Sequence, residues 1–349
     1  MVWLLPKRRL FRKHFLLNTA LGIYIFLLAF ALLNDRQRAK YGMPLMYTDP
    51  AYTDNTESGR CRVHWDSLGE VAMDMLEDPD LSDIEAANTE VEQGGKWRPK
   101  NCTAWQKTAI IVPYRDRWHH FKLLLKRLHP MLRKQRIDYQ IFCVEQAGEE
   151  QFNRAKLMNI GVLEALKAAS FDCFIFHDVD LLPENDKNLY YCDGQLRHLA
   201  SAIDEMRYHV MYYNYAGGVV AVNKENLLRM NGYGNFYWGW GGEDDDFSAR
   251  SLAAGLQISR PPENIGRFKM ARHVKSRFEN DQYGLFMSWR SRWRTDGLNS
   301  VGSQYKLLAQ EEHKLYTRLL VDVGRPPQQP TKQDLPRESY WWFLSFFFP

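Results

Sequence analysis

The feature that most limits the fold of this 349-residue chain is the alternation of patterns between residues 108 and 177. Residues 108–113 form an apolar, β-branched run closed by a proline, and residues 121–132 then carry apolar side chains at helical spacing. Residues 139–144 repeat the strand pattern, residues 155–169 read as an amphipathic helix, and residues 172–177 read as a third strand. Strand, helix, strand, helix, strand predicts a parallel sheet covered by its helices. Such sheets bind ligands at the carboxyl ends of their strands, where the strand order switches. That rule selects Pro113, Tyr114, Arg115, Asp116 and Arg117, and it selects Asp178, Val179 and Asp180.

The formal charge of +4 owes much to Lys7, Arg8, Arg9, Arg12 and Lys13. The rest of the chain is nearly balanced, which argues against a nucleic-acid footprint. Residues 15–33 are almost entirely apolar and long enough to cross a bilayer as a helix. The basic cluster before them places the N-terminus in the cytosol and the remainder on the far side. The rival expectation is a cleaved signal peptide ending near Ala29-Phe30-Ala31. The resulting division is a cytoplasmic tail (1–14), a transmembrane signal-anchor (15–33), a polar stem (34–60), a lumenal catalytic domain (61–325) and a C-terminal tail with an aromatic end (326–349). Five cysteines all follow the apolar segment, in what would be an oxidising compartment. Their odd number leaves at least one thiol free, and Cys143, inside an apolar run, reads as that buried residue. None of the spacings suits a zinc site, so disulfides are expected.

Residues 238–246 join two tryptophans, three glycines and four successive acids. A buried strand does not accommodate four acids, and a solvated helix face does not favour such ring and glycine density. Indoles pack on sugar faces, glycines allow close approach or movement, and carboxylates accept hydroxyl protons, so the run predicts a carbohydrate site. Asp178 and Asp180 frame Val179 at the end of a strand. Two carboxylates there suit a hard divalent cation that shares its coordination with substrate phosphates. The plainer reading of an Asp-x-Asp is a turn, and the apolar strand before it tips the balance toward a metal. Met270 and His273 add a thioether and an imidazole within a basic stretch containing Arg267, Lys269 and Arg272, which suits a diphosphate.

Residues 176–183, Tyr215-Ala216-Gly217-Gly218, the run through Asp246, and Gly297-Leu298-Asn299-Ser300 occur together in one order. In this the chain resembles the animal β-1,4-galactosyltransferases, the group that also holds the invertebrate β-1,4-N-acetylgalactosaminyltransferases. The similarity runs from about Cys61 to Gly324. It implies an α/β GT-A fold, Rossmann-like and nucleotide-sugar-binding, behind a single membrane anchor in the Golgi as a type II protein.

By matching position, the resemblance implies that Pro113, Tyr114, Arg115, Arg117, Phe152 and Arg154 hold the donor, with Asp178 and Val179 beside its sugar. It implies Mn²⁺ at Asp180, Met270 and His273, a mobile Trp240 closing over the donor, and Asp244 as the base with Glu243 beside it. The acceptor would meet Tyr212, Tyr215, Gly242, Glu243, Asp244, Asp245, Tyr283 and Phe286. Core packing is the alternative for Tyr283 and Phe286, and Gln282 stands where the family commonly has arginine. Cys61 with Cys102 and Cys173 with Cys192 match the family's disulfides. A homodimer is a further expectation.

The implied reaction is Mn²⁺-dependent transfer of galactose from UDP-galactose to the 4-hydroxyl of a terminal GlcNAc on a glycan. Forming a β-linkage from an α-linked donor requires inversion, and one base suffices for it. In the family, tyrosine at the position of Tyr215 accompanies galactose, and smaller residues accompany GalNAc. Two alternatives remain: transfer from UDP-GalNAc, and a non-catalytic lectin-like or assembly protein of the same fold. Asn101-Cys102-Thr103 has the form of a glycosylation acceptor.

Overall fold

The computed structural model describes residues 59–272 and 282–326. The expected tail, membrane span and nearly all of the stem, together with His273 and the aromatic end, lie outside the described residues. Everything described belongs to the unit Tyr47–Pro349.

The strands are β1 (Lys96–Trp97), β2 (Lys107–Tyr114), β3 (Asp138–Gln146), β4 (Cys173–His177), β5 (Leu181–Pro183), β6 (Leu196–His198), β7 (Ala202–Ile203), β8 (Val219–Asn223), β9 (Ile258–Ser259), β10 (Arg267–Met270), β11 (Lys306–Glu312) and β12 (Thr317–Asp322). The helices are α1 (Leu81–Ala87), α2 (Trp118–Lys134), α3 (Arg154–Ala168), α4 (Lys224–Arg229), α5 (Glu243–Ala253), α6 (Gln282–Met287), α7 (Trp289–Arg292) and α8 (Leu298–Val301). Among the described residues the main sheet runs β11-β12-β3-β2-β4-β8-β6-β9, with β1 on β3, and a small sheet runs β5-β10-β7.

The predicted β2-α2-β3-α3-β4 unit is present, and β2 pairs in parallel with both β3 and β4. The chain therefore leaves β2 to one side and returns on the other, creating the switch point. Alternate residues serve opposite faces, as the pleat requires. Ile110, Val112 and Ile141 pack with Phe121, Leu124 and Leu128 of α2. Ala109, Ile111, Phe142 and Val144 pack with Leu157 and Ile160 of α3. Burial on both faces explains why these strands read as unbroken apolar runs. Asn153 caps α3 by accepting from the Lys156 amide.

The expectation of a parallel sheet holds for β12-β3-β2-β4 and for the edge pair β6-β9, and the rest of the sheet is mixed. β8 runs antiparallel to β4, β6 antiparallel to β8, and β11 antiparallel to β12. No long helix lies between β4 and β8 to carry the chain back for a parallel crossover, so it returns in the opposite sense. Both disulfides form as the resemblance implied, Cys61–Cys102 and Cys173–Cys192. Cys143 is free and buried.

Candidate active site

The carboxyl ends of β2 and β4, the start of α3 and the start of α5 meet at the switch point, and Arg154 joins them. Its Nε lies 2.6 Å from Asp178 Oδ1, and its Nη1 lies 2.8 Å from Asp244 Oδ1 and 3.5 Å from Glu243 Oε1. Burial alone would weaken the guanidinium's hold on its proton, but the surrounding acids keep its pKa well above the usual value. Burial pushes the carboxyls of Asp178 and Glu243 upward, and the neighbouring Asp244 adds to this. The family resemblance implied Arg154 among the donor contacts, and its bonding to Glu243 and Asp244 of α5 emerges only in three dimensions.

The acidic run is divided by helix geometry. Gly242, at φ 84°, caps α5 in a left-handed conformation that a side chain would resist. Successive residues beyond it turn by about 100°. Glu243 and Asp244 face Arg154, and Asp245 accepts from the Tyr212 hydroxyl. Burial raises the Asp245 carboxyl to about 7 against that hydrogen bond. Asp246 turns into the core, where Tyr237 Oη donates to it at 2.7 Å and Arg250 and Arg292 pair with it. A carboxylate two helical positions beyond Asp244 must point nearly opposite to it, a spacing that separates the two acids without saying which of them is buried. The tryptophans divide likewise. Trp238 is buried beneath Lys156, whereas Trp240 is 57% exposed.

Tyr215 is buried, and its ring stands edge-on to Tyr212 at 5.4 Å between centroids. A side chain at Gly217 would collide with the Tyr215 hydroxyl and stand 2.8 Å from Asp244 Oδ2. Phenol and carboxylate therefore meet over this glycine's bare Cα. Arg115 lies over the Phe152 ring at 5.3 Å and donates to the Glu150 carbonyl, close to the buried Tyr114 at the end of β2. The Phe152 carbonyl accepts from the Gly239 amide, which ties the segment before α3 to the tryptophan loop. Pro113 lies within β2, and Arg117, half-buried, occupies the N-cap position of α2 with its guanidinium donating to the Asp116 carbonyl. Val179 is partly buried against the core between its two acids.

Phe286 is buried with Ala249 and Trp289, with Tyr212 at the edge of the cluster. That burial is what core packing expects and it also keeps Phe286 beside Tyr212, while Tyr283 has only its backbone, in α6, among the described residues. Met270 stands opposite Leu181 in the small sheet, and the Ala271 amide donates to the Asp180 carbonyl at 2.7 Å. The pairing thus sets the backbones of Asp180 and Met270 on neighbouring segments, one position out of register. The described residues hold no cluster of three or more His, Cys, Asp or Glu of the kind that cages a metal. A half-buried carboxylate and a thioether on neighbouring segments fit an ion that keeps several positions open for ligand oxygens, with His273 the next donor along the chain.

A switch-point cluster of acids around one arginine, with aromatic rings beside it on a mixed α/β sheet, is the arrangement of a glycosyltransferase of the GT-A-like class. Residues 61–193 match the N-terminal region of glycosyl transferase group 7, and residues 197–274 match the N-terminal domain of galactosyltransferase. β-1,4-Galactosyltransferase 3 of Cricetulus griseus is 46% identical over 274 residues, spanning 77% of this chain and 69% of that protein. β-1,4-Galactosyltransferase 2 of Homo sapiens is 41% identical over 269 residues, spanning 76% and 72%. The chain belongs to the β-1,4-galactosyltransferase family.

The catalytic domain of Drosophila β1,4-galactosyltransferase 7 in complex with xylobiose superposes with a TM-score of 0.53 at 31% identity, covering 62% of this chain and 94% of that one. A mutant of that enzyme, in complex with manganese, UDP-Gal and xylobiose, gives 0.52 at 30% identity, with the same coverage.

Proposed function

We propose that the chain transfers galactose from UDP-galactose to the 4-hydroxyl of a terminal GlcNAc on a glycoprotein or glycolipid glycan, with inversion and with Mn²⁺. The reading is carried by one observation: Asp244 Oδ2 and the Tyr215 hydroxyl converge over Gly217, while Arg154 holds Oδ1. One carboxylate oxygen is thereby oriented and the other is turned to the sugar side. Oδ2 takes the acceptor proton as the 4-oxygen attacks the anomeric carbon, and UDP departs from the opposite face. Glu243, bonded to the same guanidinium but buried, orients the acid helix, and Asp245 with Tyr212 borders the acceptor. Arg115, stacked on Phe152, fixes the donor segment, and the exposed Trp240 closes over the donor and excludes water. When bound at Asp180, Met270 and His273, Mn²⁺ supplies charge stabilisation for the leaving diphosphate. The names of the relatives and the manganese and UDP-Gal in the Drosophila complex support this assignment.

Transfer assays with UDP-galactose and UDP-GalNAc on one GlcNAc acceptor test it. Galactose transfer is expected to dominate, and equal or better GalNAc transfer would give the donor assignment to the alternative. Asp244→Asn is expected to lower kcat by about 10³-fold or more while UDP binding stays unchanged, the size of loss that goes with removing an essential base. Unchanged turnover would remove Asp244 from that role.

The same proposal places the chain in the Golgi membrane, with 15–33 as its anchor and the catalytic domain lumenal. No helix among the described residues is long and apolar enough to cross a membrane, and 15–33 lies outside them. The support is the basic flank, the two closed disulfides and the exposed Asn101 in a glycosylation sequence. Protease protection of the catalytic domain in sealed microsomes checks the orientation. For the expected homodimer, the support is the edge strand β11, where Leu307 and Leu308 are exposed; sedimentation of the purified chain checks it.

A further inference from the structure

His198 and Arg260 have no task in the reaction described above. β6 and β9 run parallel, with Leu196 opposite Ile258 and Arg197 opposite Ser259, so His198 and Arg260 come next, side by side. Arg260 Nε donates to His198 Nδ1 at 3.2 Å, and its Nη2 donates to the carbonyls of Tyr213 and Tyr215 at 2.6 and 2.7 Å. Because Nδ1 accepts, the ring proton sits on Nε2, which donates to the Gly217 carbonyl at 2.9 Å. Three alternate carbonyls of one turn, at positions 213, 215 and 217, are therefore held by two side chains. The fully buried His198 ring also meets the Tyr215 ring edge-on at 5.3 Å.

The electrostatics of this pair are unusual for a purely structural contact. Among the described residues no carboxylate pairs with Arg260, and burial pulls its pKa down to about 10. A desolvated guanidinium without a counter-ion is unfavourable unless its donors are all directed at strong acceptors. Here Nη2 donates to two carbonyls of the turn that carries Tyr215, and Nε donates to His198, which holds a third.

We propose that Arg260 and His198 are positioning residues for the sugar site, holding the turn 213–217 so that the Tyr215 hydroxyl stays against Gly217 and Asp244 and limits the room beside the donor sugar. The inference rests on the proposed role of Tyr215 in choosing galactose over GalNAc. A freed turn lets the phenol withdraw, and the bulkier donor gains most from its withdrawal.

The test compares kcat/KM for UDP-galactose and UDP-GalNAc in the detergent-solubilised full chain, with UDP binding measured by calorimetry as the check on folding. Arg260→Gln is expected to raise the GalNAc-to-galactose ratio about tenfold, the scale of one steric contact in a binding pocket. Arg260→Lys, which keeps the charge but not the fork, should raise it less. His198→Gln, which keeps an amide donor but loses the seat for Arg260, should fall between them and serves if Arg260→Gln does not fold. An unchanged ratio in variants that bind UDP normally, with both donors slowed together, would show a merely structural contact and overturn the proposal. Tyr215→Leu separates the two layers. If it moves the ratio and the Arg260 variants do not, the positioning role fails and the donor reading stands; if none moves it, both fall.

Discussion

Asp246 and Asp244 are two residues apart and chemically identical, yet their surroundings give them different work. Asp244 is partly exposed beside Arg154, whereas Asp246 is completely buried between Arg250 and Arg292, and Asp296 pairs with both of those arginines. Removing one partner of a buried ion network leaves uncompensated charge, which costs about 3–5 kcal/mol. Asp246→Asn is therefore expected to lower the denaturant midpoint by a change of that order, while the fraction that remains folded keeps its KM for donor. A loss of kcat at undiminished stability would instead place Asp246 in the chemistry. The sequence presented four equivalent acids, and only their rotation about α5 distinguishes them.

At the scale of elements, the decisive contact is the approach of α3 to the sheet. Gly161 faces β2 and β3 so closely that an added Cβ would lie 2.5 Å from Ile111 Cγ2 and 3.0 Å from Val144 Cγ2. Alanine in place of glycine favours an exposed helix by about 1 kcal/mol, but overpacking a core costs about 1–3 kcal/mol. The obstructing atoms belong to branched side chains packed on both sides, so the steric term wins. Gly161→Ala is expected to lower Tm by several degrees, on the order of the shift that 1–2 kcal/mol produces in a domain of this size, and a raised Tm would show that the sheet yields. Because α3 begins at Arg154, the same packing sets the height of the guanidinium above Asp178 and Asp244. The strand-helix alternation was legible in the sequence, since each element carries its own period. The small sheet that sets Met270 on a segment neighbouring Asp180 was not, because β5 and β10 are short and some 85 residues apart in the chain.

For the molecule as a whole, stability carries a histidine signature. His129 is fully buried, with its ring nitrogens on Tyr139 Oη at 2.8 Å and the Leu315 carbonyl at 2.9 Å, and burial lowers its pKa from 6.5 to about 4. Unfolding lets the ring take a proton below about 6.5 that the native site refuses until about 4. The unfolded chain thus binds more protons across that window, and stability falls as pH drops through it before levelling off. The full effect is on the order of 3 kcal/mol for one such ring. The raised carboxyls of Asp178, Glu243 and Asp245 act in the opposite sense over the same range, so the test is the difference between chains. Urea midpoints from pH 7 to pH 4 should fall less, or rise more, in His129→Gln than in the unaltered chain, and identical slopes would mean that His129 carries none of the dependence.

Local chemistry by itself determined the strands and helices of the central unit, the switch-point position of the Asp178–Asp180 segment, and the buried free thiol of Cys143. Each depends on period, branching or residue type within a short stretch, which is where side-chain sterics and hydrophobicity act most directly. Tertiary structure alone decided the antiparallel return of β8, the inward turn of Asp246, the burial of Phe286, the meeting of Tyr215 and Asp244 over Gly217, and the grip of Arg260 on the turn beside them. Those outcomes depend on contacts between residues tens of positions apart, whose geometry no local period encodes and whose energies arise only when packing removes water from between them.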